Sequence, residues 1–242
     1  MSAGLDLVTG QPLVGARDRR FFGGMAIAVA LVIFVGFAET YYLKGVFGSR
    51  ALPPLVHLHG ILFTAWILLF ATQTTLIAAR RIDIHRKTGI AGAVLAAAMV
   101  VVGVQVAIGL ARRGVDPSGM GAPLRFMAVP LFDLFVFAIL VGLAVYWRRR
   151  SQTHKRLMLL GTIALLPPAL FRVPFLGAGG LPVVFAVADL FVLACLAYDR
   201  TAHGRIHPAF LWGGLVVLLS LPVRLAVSGT DAWLSFARWL TS

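Results

Sequence analysis

Seven runs of apolar residues divide the chain, at roughly 21–43, 55–78, 90–111, 124–147, 157–176, 181–198 and 208–227. A helix rises about 1.5 Å per residue, so roughly 20 apolar residues cross a hydrocarbon core about 30 Å thick. Each run is long enough to do so, the fifth and sixth only just. Backbone polar groups in lipid must be satisfied inside their own segment, which leaves a helix as the form such runs can take. The expected fold is therefore all-α, a polytopic transmembrane bundle of about seven spans. Only 13% of the residues are charged and 60% are hydrophobic, against roughly 25% charged in soluble domains. The 242 residues leave no room for a soluble domain beside the spans. The reading is one transmembrane domain, 21–227, after a disordered N-terminal segment, 1–20, and before an amphipathic tail, 228–242. Trp233, Phe236 and Trp239 suit that tail to a membrane interface.

The first run follows Arg17, Arg19 and Arg20, as in a signal peptide. It is too long for one and ends in Glu39-Thr40-Tyr41-Tyr42 with no small-residue cleavage site, so it reads as a retained span. The formal charge of +13 comes from short basic clusters between the runs. Counted by alternating sides, 14 Lys and Arg fall with the N-terminus and 6 on the other side. That bias puts the N-terminus in the cytoplasm and the C-terminus outside, in a bacterial-type inner membrane, with the clusters against anionic headgroups. No basic stripe interleaved with aromatics is present, so nucleic acid is not an expected partner. Cys195 is the single cysteine, which excludes an internal disulfide and a CxxC motif. The weakest pair of runs is 157–176 and 181–198, where a re-entrant hairpin would leave five spans with both termini on the same sides.

Polar residues inside the spans carry the functional reading, because an ionisable group in hydrocarbon demands a partner. Glu39, His57, His59, Gln105, Asp133, Arg172, Asp189 and Arg224 all fall in the outer half, and Gln73 alone stands apart. Two readings fit. In one, Asp133 and Asp189 pair with Arg172 and Arg224 as salt bridges that fix the bundle. In the other, these groups line a cavity open to the outside that holds a small polar ligand, a divalent metal or the edge of a cofactor such as haem. Pro167-Pro168 and Pro174 must break the fifth run, and broken backbone is tolerated in a membrane where protein or a watery cavity satisfies it. His57 and His59 are two residues apart, about 200° around a regular helix, so one of them faces any single site.

On the basic side lie His85, His154, His203 and His207. His203 and His207 have the HxxxH spacing of a helical metal site, but Gly204 between them and Pro208 after them favour a loop with Pro208 opening the next helix. His85, His203 and His207 form the candidate metal set. Phosphate-cradling glycine motifs and a nucleophile elbow are absent, and residues 208–227 hold no lysine for a retinal Schiff base.

The run VHLHGILFTAWILLFATQTTLIAARRIDIHRKTGIAGAVLA, with HKRLMLLGT and HGRIHPAFLWGG further on, resembles a family of uncharacterised bacterial seven-helix membrane proteins. The likeness extends from about Phe37 to Trp233. The HLHG and HR-K-x-G segments are also distantly similar to small histidine-bearing membrane proteins associated with cytochrome oxidase assembly. That resemblance implies a role near haem, copper or a respiratory complex, as an accessory factor. The seven-helix plan with HxxxH at the last span is similar to membrane zinc hydrolases of the adiponectin-receptor and alkaline-ceramidase type, which implies action on a lipid amide or ester. Here the third span lacks their acidic residue and the second lacks their inner histidine. A transporter or a purely structural subunit is the remaining class.

Overall fold

The computed structural model describes residues 15–49, 51–117 and 122–242. The described residues form helices joined by short connections. Helix α1 spans Ala16–Phe37 and continues into a single π-helical turn, Ala38–Tyr42, closed by Leu43 N–H donating to Ala38 O at 2.7 Å. A short α2, Lys44–Phe47, leads to α3, Pro54–Ala78, which opens on a proline whose missing N–H costs nothing in the first turn. Arg80, at φ 59°, turns the chain tightly into α4, Ile82–Arg112. The connection RRIDIHRKTG is thus mostly helix, and α4 begins well before the apolar run that announces it.

The fourth run is α5, Pro123–Phe126, followed by α6, Ala128–Tyr146. The fifth is not one helix. It is α7, Ser151–Ile163, then two single turns that each start on proline, α8, Pro167–Leu170, and α9, Pro174–Gly177. Proline lacks the N–H that would bond back one turn and its ring collides with the preceding carbonyl, so each proline sits where a new turn can begin. The last helices are α10, Gly180–His203, α11, Pro208–Ser228, and α12, Asp231–Thr241.

Among the described residues, six helical stretches, 16–42, 54–78, 82–112, 123–146, 180–203 and 208–228, are long and apolar enough to cross a membrane. The chain is a multi-pass membrane protein. The count of uninterrupted spans is six where seven runs predict seven, because the prolines divide the fifth. Helix α1 starts at Ala16, inside the segment expected to be a disordered tail, and residues 1–14 of that segment lie outside the described residues.

Helix α6 lies at the centre, packed against α4, α7 and α11, while α3 lies between α1 and α4. Trp66, Phe137, Leu160 and Phe210 fill the interior. Ile27, Leu31, Ile90, Val94, Leu190 and Leu219 are among the large apolar side chains left outside. A soluble domain rarely exposes so much apolar surface, whereas a bilayer solvates it. The bundle has a basic end, where α3 meets α4, α6 meets α7 and α10 meets α11, and a far end. At the far end α12 lies across α4 and α5: Trp233 Nε1–H donates to Leu124 O at 2.9 Å, and Arg112 donates to the carbonyls of Thr241 and Ser242 at 3.1 and 2.7 Å.

Glycine brings α1 onto the broken segment. A Cβ on Gly36 would lie 2.2 Å from the Ala169 carbonyl oxygen, so no other residue fits without moving α1 away from α8.

Candidate functional site

The break in the fifth run and the π-turn of α1 both contribute to the walls of a far-end cavity of about 560 Å³. That volume is typical of sites for small organic molecules, which are commonly about 300–1,000 Å³ and mostly apolar. Its walls come from α1, α3, α4, α6, the α8 region and α10, and most of them are hydrocarbon. The polar exceptions include His59, Asp133, Arg172, Tyr41 and Tyr42.

His59 stacks on Phe63, with ring centroids 4.0 Å apart, and its buried Nδ1 has no hydrogen-bond partner within the protein. Arg172 stands on the irregular link between α8 and α9. It donates from Nη1 to the Pro168 carbonyl at 2.7 Å and lies over the Phe37 ring at 4.4 Å. Among the described residues no carboxylate pairs with it. Freed from a regular helix by Pro168 and Pro174, this residue can turn its guanidinium into the cavity instead of along a helix face.

The π-turn places two consecutive tyrosines at this wall. Tyr42 hydroxyl bonds to Thr64 Oγ1 at 3.0 Å, and Thr64 donates in turn to the Gly60 carbonyl at 2.7 Å. Tyr41 packs against Gly60, where any Cβ would meet its ring, and its hydroxyl donates to the His57 carbonyl at 3.3 Å.

Deeper in the bundle Asp133 meets Arg224, Oδ1 to Nη1 at 2.5 Å. Both side chains are almost fully buried. Arg224 also donates from Nε to Ser220 O at 3.0 Å, from Nη1 to Val129 O at 3.2 Å and from Nη2 to Ser220 Oγ at 2.9 Å. Its guanidinium stacks 4.6 Å from the centre of Phe185. Asp189, on α10, lines a small void together with Asp133, Ser220 and Arg224.

The eight expected site residues thus divide. His59, Asp133 and Arg172 line the large cavity, and Asp133, Asp189 and Arg224 line the small void. Glu39, His57 and Gln105 are exposed and line neither. Of the two arginines expected to pair with aspartate, Arg224 does and Arg172 does not.

A second polar cluster lies at the basic end, where the candidate metal set was expected but Asp18 and Asp199 were not. Asp18 accepts from Lys155 at 2.5 Å and from the Tyr198 hydroxyl, and His203 Nε2 lies 3.2 Å from it. Asp199 holds Arg156 through both carboxylate oxygens, at 2.5, 2.9 and 3.1 Å, and accepts from His207 N–H at 2.9 Å. Asp18 and Asp199 sit beside basic clusters in sequence and look solvated there; the one available signal was the Asp199 and His203 pair, one helical turn apart.

The candidate metal set does not gather. His203 ends α10 and turns to Asp18, while His207 caps α11 by accepting from Ala209 N–H at 3.0 Å. His85 lies by His154, ring centroids 6.3 Å apart. Among the described residues no three His, Cys, Asp or Glu side chains converge as a metal site would need.

Compared with known proteins, the chain matches no family model, no curated protein and no solved structure.

Proposed function

We propose that the chain is a seven-span inner-membrane protein, N-terminus in the cytoplasm and C-terminus outside, whose outer cavity binds an apolar small molecule by an oxygen-bearing head. The seventh span in this reading is the broken one, α7 through α9. The ligand class is an amphipathic molecule with a carbonyl or anionic end, the class that includes lipid-soluble quinones and fatty acids. A respiratory accessory role, the expectation that came with the resemblance to oxidase-assembly proteins, fits a redox-active member of that class.

One observation carries the proposal: Arg172 and His59 line an apolar cavity with polar atoms that no carboxylate in the described chain neutralises. A guanidinium in such a setting favours an acceptor or an anion that brings its own apolar surface. A bare metal ion would need several convergent donors. An organic ligand needs only this pair and the walls.

The test is extraction and mass spectrometry of the purified protein, wild type against the double variant His59→Ala, Arg172→Ala. The wild type is expected to carry an organic molecule that the variant loses, and to gain thermal stability from a short-chain quinone or a fatty acid while the variant does not. Identical extracts and identical shifts would overturn the reading. Reporter fusions check the orientation: residues 80–87, 148–156 and 200–205 should report from the cytoplasm and residue 242 from outside.

A further inference from the structure

Beside the large cavity, between α6, α7, α10 and α11, lies a void of about 10 Å³, room for roughly one water molecule. Its polar wall is Asp133, Asp189, Ser220 and Arg224, and the rest is apolar. Four of the five N–H protons of Arg224, and the Ser220 hydroxyl, are committed. Arg224 gives its protons to Asp133 Oδ1, Val129 O and both oxygens of Ser220, and the Ser220 hydroxyl gives its own to Val217 O at 2.6 Å. Two buried carboxylate oxygens, Asp133 Oδ2 and Asp189 Oδ1, receive nothing from the protein. Asp133 is 4% exposed, so its free oxygen has no access to solvent outside the bundle.

Charge balance decides what such a wall holds. Two carboxylates face one guanidinium, which leaves one negative charge in excess. The neighbouring elements do not cancel it. Ile163, Ala164 and Pro167 are what α7 and α8 present to the void, and α9 has no titratable side chain. Arg125 on α5 and Gln105 on α4 are exposed and line neither cavity. His59 and Arg172 face Asp133 only across the large cavity. An uncompensated carboxylate at this depth costs several kcal/mol, and neutralisation is the usual escape.

We infer that Asp133, Asp189 and Arg224 form a binding site for one proton. With Arg224 fixed on Asp133, the proton is carried by Asp189, whose carboxylate takes it from a hydronium ion to become a neutral carboxyl: one O–H bond forms, one breaks, and water is released. The neutral O–H then adds a donor to a wall in which Asp133 Oδ2 receives none. Asp133 also lines the large cavity, whereas Asp189 does not and is partly exposed.

Infrared spectroscopy of the purified protein at neutral pH, with no ligand added, tests this directly. The expected result is a protonated-carboxyl stretch that shifts in heavy water, is lost in Asp189→Asn and moves in frequency in Asp189→Glu, which keeps a carboxyl should the amide variant fail to fold. The double variant His59→Ala, Arg172→Ala should keep the band, so failure of the ligand proposal leaves this one standing. Absence of the band in wild type, its persistence unchanged in both Asp189 variants, or its appearance only when sodium is replaced by choline would overturn the inference. The last outcome would make the occupant a metal cation.

Discussion

The two ends of the bundle handle buried charge in opposite ways. At the basic end Asp18 and Asp199 face Lys155 and Arg156, with Tyr198, His203 and the His207 amide filling the remaining acceptor sites. Neither carboxylate has a buried oxygen without a donor. At the far end one guanidinium stands against two carboxylates and bonds to Asp133 alone, two oxygens are left over, and a second guanidinium stands without a carboxylate beside a cavity. A balanced network holds helices in register. An unbalanced one keeps capacity for something else, since buried polar groups that remain unmatched are costly to retain.

Removing one member of each pair should break that contrast most forcefully. Arg224→Ala leaves Asp133 buried without its partner and should cost about 3–5 kcal/mol, read as a large fall in melting temperature of the purified protein. The double change Arg224→Leu, Asp133→Leu should recover most of that stability and, because Asp189 is retained, keep a protonated-carboxyl band at a shifted frequency.

Asp199→Ala strands Arg156 in the same way, with a loss of about 3 kcal/mol. Its compensated partner, Asp199→Leu with Arg156→Met, should restore folding and leave ligand extraction from the far end unchanged. If that variant lost the ligand, the basic end would be more than scaffolding.

Gly36→Ala is smaller in chemistry but sharp in geometry. The added methyl would collide with the Ala169 carbonyl, α1 would have to shift, and overpacking of this kind costs about 1–3 kcal/mol. The cavity wall would move with it, so ligand occupancy should fall more than the melting temperature suggests.

The smallest effect belongs to His207. Burial is the main influence that lowers its pKa from the ordinary 6.5, and its Nδ1 must stay unprotonated to accept from Ala209 N–H. The folded form therefore binds its proton less readily than the unfolded form. Its contribution is complete above about 6.5 and is lost as pH falls through that value toward the folded pKa. His207→Asn keeps a capping side chain and should flatten this part of the stability profile.

Much of the far end was legible because each signal is local. Pro167, Pro168 and Pro174 break any helix they enter, and Asp133, Arg172, Asp189 and Arg224 are conspicuous inside apolar runs. The angular separation of His57 and His59 said that one of them faces a site, and packing, with Tyr41 pressed on Gly60, decided which. The basic end was illegible because its partners come from distant parts of the chain and each lies next to ordinary surface charge. Asp18 looks like part of a solvated tail until α10 and α7 are brought to it. The tyrosine pair was hidden for another reason: the residues show that an apolar run is ending, but not that a wider turn ends it.

That wider turn has an evolutionary reading. A π-turn is what a helix forms when it takes in one extra residue without disturbing what lies before or after, and such turns concentrate at functional sites. An insertion in a regular helix rotates everything beyond it by about 100°. Confined to Ala38–Tyr42, the same event re-aims only a few side chains and leaves the core of α1 in register. Deleting a single residue from this turn would in effect run history backwards: the bundle should still assemble, with Tyr41 and Tyr42 no longer able to face the cavity together.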